Sequence, residues 1–589
     1  MRLVLLKEVP DDPELRREWN ALVEHVEHPQ VFFTYEWALA VQRAYSATLR
    51  PLIFLFYDEQ ESLSGVAALA SDDTGSRVSF LCATTGDYCD FLGLSLDKSA
   101  FVDVVLRELR KQGVKNVALT NLPADSTTVA AFEKAAQASG FHLFARTAYV
   151  CAQVSLGELE RRPGENKPVL PRKKMLRRFL NAMGREAPVR LDHARTWDSV
   201  APVLPQFMQS HVARFLVTGR ISNLARPERR LFLEELAKLL CESGWLVLTR
   251  MMSGSNAFAW NYGFQFRDTW FWYQPTFDSD LEKYSPGFCL LAKVIEEAAD
   301  NPNMKTVDLG LGAEEYKERF ANQSRETLYV TLKVSATQHI REIVRYRVAE
   351  VVRASPKAEL AVRALMARIQ SVRKRIADEG ATSAMKWMGR RFGESLMSET
   401  EVFFYEWSGL VRVDSGMLHL RLLDLDQLAC ATSEYIDDPD TLAYLLRSAM
   451  RLREGKAEGF GLVDSAGKAV HFAWATNFDG FFLSELNSRV SAPSVDCVML
   501  FDCWTPKSQR GRGYYGRAVE LVARRMQEKG KKPWIFSAAK NSSSVRGLRS
   551  SGFQRRYSLV RRSVLGWQRI SGETPLLHRP TPPELTSRV

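Results

Sequence analysis

The residues best placed to do chemistry lie in one short stretch. An apolar run, Val498-Met499-Leu500-Phe501-Asp502-Cys503-Trp504, passes through Thr505-Pro506-Lys507-Ser508-Gln509 into Arg510-Gly511-Arg512-Gly513-Tyr514-Tyr515-Gly516, and a helical pattern with Val519, Leu521, Val522 and Met526 follows. A strand that feeds a glycine-rich turn into a helix presents backbone N–H groups at the helix start, where hydrogen bonding and the helix dipole both favour a pyrophosphate. The glycines let the phosphates come close. Gly-Lys-Ser/Thr is absent, so this is not a P-loop, and no second strand with a ribose-binding acid follows Gly511, Gly513 and Gly516, so it is not a Rossmann fingerprint.

In order and spacing the stretch resembles the coenzyme A loop of the GNAT N-acyltransferase superfamily, Arg/Gln-x-x-Gly-x-Gly/Ala. Arg510 and Gly513 fit; Tyr515 stands where the pattern has Gly or Ala, and the small residue comes one place later at Gly516. A second element agrees: Asn541, Ser544 and Gly552-Phe553 keep the superfamily spacing, with an expected strand over 533–537 before them. The resemblance implies a GNAT fold for about residues 400–570. It also implies acetyl-CoA or another acyl-CoA as donor, held by Arg510, Gly511, Arg512, Gly513, Tyr514, Tyr515, Gly516, Asn541 and Ser544. The strand before the loop should splay from its neighbour so that the thioester carbonyl bonds to backbone. The amine must then lose a proton and the departing thiolate gain one. Candidate bases are Asp502, Glu485 and His471, expected on or beside central strands. The superfamily's tyrosine acid, four residues before the Gly-Phe pair, is Leu548 here; Tyr514, Tyr515, Ser544 or Tyr557 could take its place. On residue type alone, His471 reads equally as a hydrogen-bonded core histidine and Glu485 as a strand-end charge.

Residues 1–335 carry a second ordered set. It runs Val31-Phe32-Phe33-Thr34-Tyr35-Glu36-Trp37; Gly86-Asp87-Tyr88-Cys89-Asp90; Pro171-Arg172-Lys173-Lys174-Met175-Leu176-Arg177-Arg178; His211-x-x-Arg214; Ala259-Trp260-Asn261-Tyr262-Gly263-Phe264; Phe277-Asp278; Tyr284-Ser285-Pro286-Gly287; Asp308-Leu309-Gly310; and Glu315-Tyr316-Lys317. Together these resemble the acetyltransferase-like family of cellulose and exopolysaccharide biosynthesis clusters, related to Fem-type aminoacyl transferases. The resemblance implies a cleft surrounded by Asp278, Asp308, Tyr316 and Lys317, with His211 near the acceptor. His211 and Asp308 thus join the catalytic candidates, and Arg214, Asn261 and Tyr273 the substrate contacts. Physically, Ser285-Pro286-Gly287 ahead of a helical pattern is another helix start able to receive an anion. Asp278 and Asp308 read equally as turn caps, and Lys317 as the partner of a nearby acid.

These residues need elements to hold them. Residues 1–160 have α/β texture, with strands at 51–56 and 65–69 and a helix over 101–112. The polar stretch 161–168 marks a boundary. A second α/β unit follows, with helices over 197–217, 226–243 and 288–299 and strands at 245–251, 257–266 and 270–274. From 339 to 391 the pattern is helical and basic, broken near Ser355-Pro356. That segment reads as a helix pair packed on a domain or as a basic amphipathic element at a membrane surface. The expected architecture is α/β (α+β): GNAT-like mixed-sheet units at 1–163 and 164–336, a basic helical connector at 337–397, a C-terminal GNAT domain at 398–571 and a proline-bearing, disordered tail at 572–589.

Composition sets the outer limits. With 589 residues, 46% apolar and 25% charged, the chain is globular rather than collagenous, disordered or disulfide-framed, and long enough for several cores. Its eight cysteines are scattered without a Cys-x-x-Cys, which predicts reduced core thiols and no metal site. No export signal opens the sequence and no run of about 18 apolar residues occurs, so a cytoplasmic protein is expected. The net charge of +11 suits tRNA, a membrane surface in peripheral contact, or a phosphate-bearing donor, and its basic clusters lie at 172–178 and 341–391. The composite expectation is an N-acyltransferase of polysaccharide or cell-envelope biosynthesis that acts on a small-molecule or saccharide amine. The alternatives are Fem-like aminoacyl transfer from charged tRNA, or a degenerate scaffold for an envelope or cellulose synthase.

Overall fold

A computed structural model of the chain describes residues 2–94, 97–161, 168–312, 314–353, 355, 397–409, 418–564 and 567–572. Most of the connector beyond residue 353 and the expected tail lie outside the described residues. The chain divides into two compact units, Met1–Arg214 with Arg226–Ala354 and Phe215–Ala225 with Ser355–Val589.

Among the described residues the first unit has thirteen strands: β1 (Arg2–Leu6), β2 (Arg50–Tyr57), β3 (Leu63–Ser71), β4 (Arg77–Phe80), β5 (Leu92–Gly93), β6 (Asn116–Pro123), β7 (His142–Ser155), β8 (Val189–Ala194), β9 (Leu246–Ser253), β10 (Asn256–Phe266), β11 (Thr269–Phe277), β12 (Thr306–Asp308) and β13 (Gln323–Lys333). They form one mixed sheet in the order β1-β2-β3-β4-β6-β13-β7-β12-β11-β10-β9-β8, with β5 on β3. The strand latest in sequence, β13, lies between β6 and β7 and is antiparallel to both. Residues on either side of the 161–168 stretch therefore share a single sheet. One sheet face holds a T-shaped aromatic cluster in which Trp37 meets Phe32, Phe264 and Tyr273. The other packs Trp270 and Trp272 with the helix Pro286–Asp300, which is apolar nearly all round and accordingly buried. The expected single helix at 197–217 is two, Trp197–Val200 and Leu204–Val217. Pro202 and Pro205 have no N–H to offer the carbonyls four residues back, so the ladder stops and restarts.

The second unit carries β14 (Met397–Trp407), β15 (His419–Leu422), β16 (Glu458–Val463), β17 (Ala469–Asn477), β18 (Phe481–Leu483), β19 (Ser488–Val490), β20 (Cys497–Trp504), β21 (Lys532–Ala538), β22 (Phe553–Val564) and β23 (Trp567–Gly572). Its main sheet runs β15-β16-β17-β20-β21-β14-β22-β23, and β18 and β19 form a separate hairpin. The helix Tyr514–Glu528 buries Ala518, Val519, Val522, Ala523 and Met526. Parallel pairing joins β4 to β6, β11 to β12 and β20 to β21, in each case across an intervening helix. The architecture is thus mixed α/β with large mixed sheets. Among the described residues no helix is long and apolar enough to cross a membrane.

Candidate functional site

Two forks in the sheets hold most of the candidate residues. In the second unit, β20 and β21 pair from Cys497↔Lys532 to Leu500↔Ile535, and there the ladder ends although both strands continue. Beyond the fork β20 bulges against β17, since Trp474 faces Phe501 and Phe472 faces Trp504. Asp502 sits in the bulge with φ +47°, a left-handed conformation that costs a non-glycine residue about 1 kcal/mol and points to an imposed geometry. Its carboxylate pairs with Arg451 at 2.8 Å, and its carbonyl accepts the Tyr444 hydroxyl at 2.9 Å. Arg451 itself stacks on Trp474 and Phe501, with ring centroids 4.7 and 4.9 Å away.

The loop after β20 is open. Arg510, Gly511, Arg512 and Gly513 are exposed, and Gly513, at φ +76° and with no neighbouring atom within 4 Å of where a Cβ would be, is the cap from which the helix Tyr514–Glu528 starts. Arg510 leans back, donating to the Thr505 carbonyl at 3.1 Å. Tyr514 turns into a small apolar cluster with Leu462 and Val470. Tyr515 packs in the main core, and its hydroxyl meets Ser544 Oγ at 2.8 Å. Asn541 caps the helix Ser542–Ser550 by accepting the Ser544 N–H at 3.1 Å. Gly516 serves helix packing: a Cβ there would lie 2.8 Å from Ser551 Oγ.

The three base candidates of this unit fare differently. Asp502 lies at the fork. His471, on β17, is buried, with Nδ1 2.7 Å from Thr505 Oγ1 and no hydrogen-bond partner at Nε2. Burial pushes its pKa down to about 3, so the ring is neutral near pH 7 and a weak proton acceptor. Glu485 is not on or beside a central strand. It occupies the turn of the β18–β19 hairpin, because the three-residue strands there pair only with each other, and it accepts a bond from Ser484 at 2.9 Å. Leu548 fills the core and Tyr557 stacks on Phe404, with centroids 4.5 Å apart.

In the first unit, β11 and β12 pair from Thr269↔Thr306 to Phe271↔Asp308, where β12 ends; β11 runs on to Phe277 paired with β10 on its other side. Asp308, at this fork, is buried and saturated. It accepts the Tyr88 hydroxyl, the Gln153 amide and the Gly310 N–H, each at 2.8 Å. Asp87 lies next to it, partly buried. A Cβ on Gly310, which has φ +69°, would come within 2.4 Å of Asp87 Oδ2, so glycine is required here on both counts. Burial, reinforced by the charge of Asp308, raises the Asp87 carboxyl to about 7. Across the fork Tyr273 donates to the Thr85 carbonyl at 2.5 Å and accepts from the buried Arg229 at 2.6 Å. Lys317 is buried, donates to the Leu311 carbonyl at 3.0 Å and pairs with Glu314 at 3.2 Å. Asp278 caps its turn by accepting the Asp280 N–H at 2.9 Å. His211 is buried with its Nε2 3.5 Å from the Gln274 amide. Asn261 is fully buried on β10, and both of its amide atoms lack a hydrogen-bond partner.

Beside this fork a cavity of about 310 Å³ opens at the start of the helix Pro286–Asp300. Arg172, Arg214 and Arg319 line it together with Phe179, Phe277, Ser285, Gly287 and Tyr316. Arg214 donates to the Pro275 carbonyl at 3.1 Å with its guanidinium 4.2 Å from the Phe277 ring, and Tyr316 accepts from Trp272 at 3.4 Å. Three guanidinium groups at a helix start suit an anion with a flat or apolar portion. The forks thus bring together Asp308, Tyr273 and Lys317, the cavity brings together Arg214 and Tyr316, and Asp278 remains at its turn. Residue reasoning missed Asp87, Arg229, Arg319 and Arg451. Only Asp87 had a local signal, the Gly86-Asp87-Tyr88 motif; the others depend on chain segments far apart in sequence.

A family model described as an acetyltransferase (GNAT) domain matches residues 171–318. No curated protein sequence matches the chain. Solved structures similar to it include FemX, at 10% identity and a TM-score of 0.38 over 58% of this chain and 100% of that one. L-PGS from Bacillus licheniformis is 12% identical, with a TM-score of 0.37 over 57% and 96%. A tandem GNAT protein from the clavulanic acid biosynthesis pathway is 13% identical, with a TM-score of 0.29 over 56% and 97%. The segment 171–318, which holds the β11–β12 fork and Arg172 and Arg214 of the cavity, matches a GNAT acetyltransferase domain, and the chain that carries it is an acyltransferase.

Proposed function

We propose that the protein transfers an acyl group from acyl-coenzyme A, acetyl-CoA in the simplest case, to the amine of an acceptor. The observation that carries this reading is the β20–β21 fork followed by the open loop Arg510–Gly513. The loop and the first turn of the helix Tyr514–Glu528 offer backbone N–H groups to a pyrophosphate, with Arg510 and Arg512 adding positive charge. The edge of β20 that no longer pairs with β21 offers backbone to a thioester carbonyl, which would strengthen its hold as the oxygen gains charge. As the amine nitrogen bonds to the carbonyl carbon, its proton passes to Asp502, which Arg451 keeps in place. The carbon–sulfur bond breaks, and the Tyr515–Ser544 pair supplies the thiolate proton in place of the tyrosine that Leu548 replaces. The acceptor, an amino sugar, lipid-linked saccharide or amino acid of envelope biosynthesis, rests on the motifs of residues 1–335. Calorimetry with coenzyme A tests the cradle: Gly513→Val forces a β-branched residue into a left-handed turn beside the phosphates and should weaken binding at least about tenfold. Equal affinity in the two proteins would mean that the loop does not hold the phosphates.

A second reading, aminoacyl transfer from charged tRNA, is favoured by the first unit's cavity. Its three arginines continue onto the basic helix Lys173–Met183, which could follow a nucleic-acid backbone. Filter binding across salt concentrations separates the readings, because a protein that neutralises several phosphates loses RNA affinity with a steep logarithmic slope. We expect only weak, shallow-sloped tRNA retention.

A further inference from the structure

The helix Ala336–Arg353, which follows β13, packs one face on the sheet. His339 stacks on His142 with centroids 5.5 Å apart, Tyr346 meets Phe144 at 5.6 Å under the Arg146 guanidinium, and Glu342 pairs with Lys333. On the opposite face Ile340, Val344, Val348 and Val351 are 59%, 54%, 57% and 73% exposed. At 3.6 residues per turn these four side chains fall within an arc of about 80°. Arg341 and Arg345 border the arc on one side and Arg347, which pairs with Glu350 at 3.1 Å, on the other, all exposed.

A continuous bare aliphatic stripe is an interaction surface, and its borders select the partner. In an antiparallel two-fold pairing of the stripe with itself, the Arg341–Arg345 flank of one copy would face the same flank of the other, so charge opposes a second copy as occupant. A surface that is apolar beneath and anionic at its rim meets both requirements. We infer that this helix docks on an anionic lipid surface, with Ile340, Val344, Val348 and Val351 entering the acyl boundary and Arg341 and Arg345 bonding lipid phosphates. The inference does not depend on which donor the protein uses.

Sedimentation of the full chain with vesicles of phosphatidylcholine alone, or mixed with phosphatidylserine, tests it. Binding to the anionic vesicles that weakens with salt, with little on the neutral ones, is expected. The pair Val344→Asp/Val348→Asp should reduce anionic-vesicle binding by about tenfold or more, and Arg341→Gln/Arg345→Gln by about twenty-five-fold, since each near-surface arginine contributes about a factor of five. The arginine pair lies outside the packed face, so it carries the test even if the aspartates disturb folding. Three results would overturn the inference: wild type that binds neither vesicle, variants that sediment like wild type, or a wild-type dimer in light scattering that the aspartates dissolve. A fourth is Val344→Cys failing to react with a water-soluble maleimide without lipid, which would mean that protein already covers the stripe.

Discussion

Asp87 and His471 are both pushed toward their uncharged forms, by the same loss of water, and the consequences for pH run in opposite directions. Asp87 rises from an ordinary carboxyl value to about 7, so the folded state keeps a proton that the unfolded chain releases. Its stabilising share is complete at acid pH and is lost as pH climbs through about 7. Asp87→Asn should therefore raise the melting temperature of the first unit at about pH 8, by about 2 °C or more, and flatten its decline between about pH 5 and 8 in scanning calorimetry. His471 falls to about 3 from an ordinary value of 6.5. Here the unfolded chain takes up the proton first, so stability present above about pH 6.5 drains away as the solution is acidified toward pH 3. His471→Asn, whose amide can still meet Thr505, should lessen the acid loss in the second unit. At the fork, Asp502→Asn keeps the shape but cannot accept a proton. Turnover should drop about a hundredfold, with the coenzyme A dissociation constant unchanged, in paired kinetic and calorimetric runs. Full activity in that variant would remove Asp502 from the proposed role.

Among the elements, the strand–turn–helix units were the most legible. The loop at 510–516 begins its helix at Tyr514, close to where its glycines indicate, and the strands expected at 257–266 and 270–274 are β10 and β11. These follow from local rules: glycines with φ above zero, a proline at the start of the helix Pro286–Asp300, and apolar residues at strand or helix spacing. Pairing was not legible. β13 is not among the strands expected from the sequence, yet it fills the gap between β6 and β7. That placement makes a truncation informative. A chain ended after residue 318, where the family match stops, would leave β6 and β7 as unpaired apolar edges and should aggregate or lose near-ultraviolet circular dichroism. One ended after residue 353 should stay folded and monomeric in gel filtration. Equal solubility of the two would show that β13 is dispensable.

At the scale of the whole molecule, two units with separate cores should unfold in two calorimetric steps, with Asp87→Asn moving one and His471→Asn the other. A single transition displaced by both variants would mean that the units are energetically one. The sequence alone determined the class of fold, the glycine-bearing strand–turn–helix at 498–528 and the excess of basic residues, because each is written in nearest neighbours, in short periods or in a sum over the chain. Tertiary structure decided which candidates could act together. Tyr88 and Asp308 are 220 residues apart and share a hydrogen bond, and Asp502 and Arg451 form their ion pair from different elements. It also decided that Glu485 belongs to a hairpin, that His471 is too deeply enclosed to titrate near neutrality, and that Val344 and its neighbours face outward. The reason is common to all of these. A side chain's charge state and partners depend on what the rest of the chain removes from water around it, and that is set by contacts whose sequence separation no local pattern records.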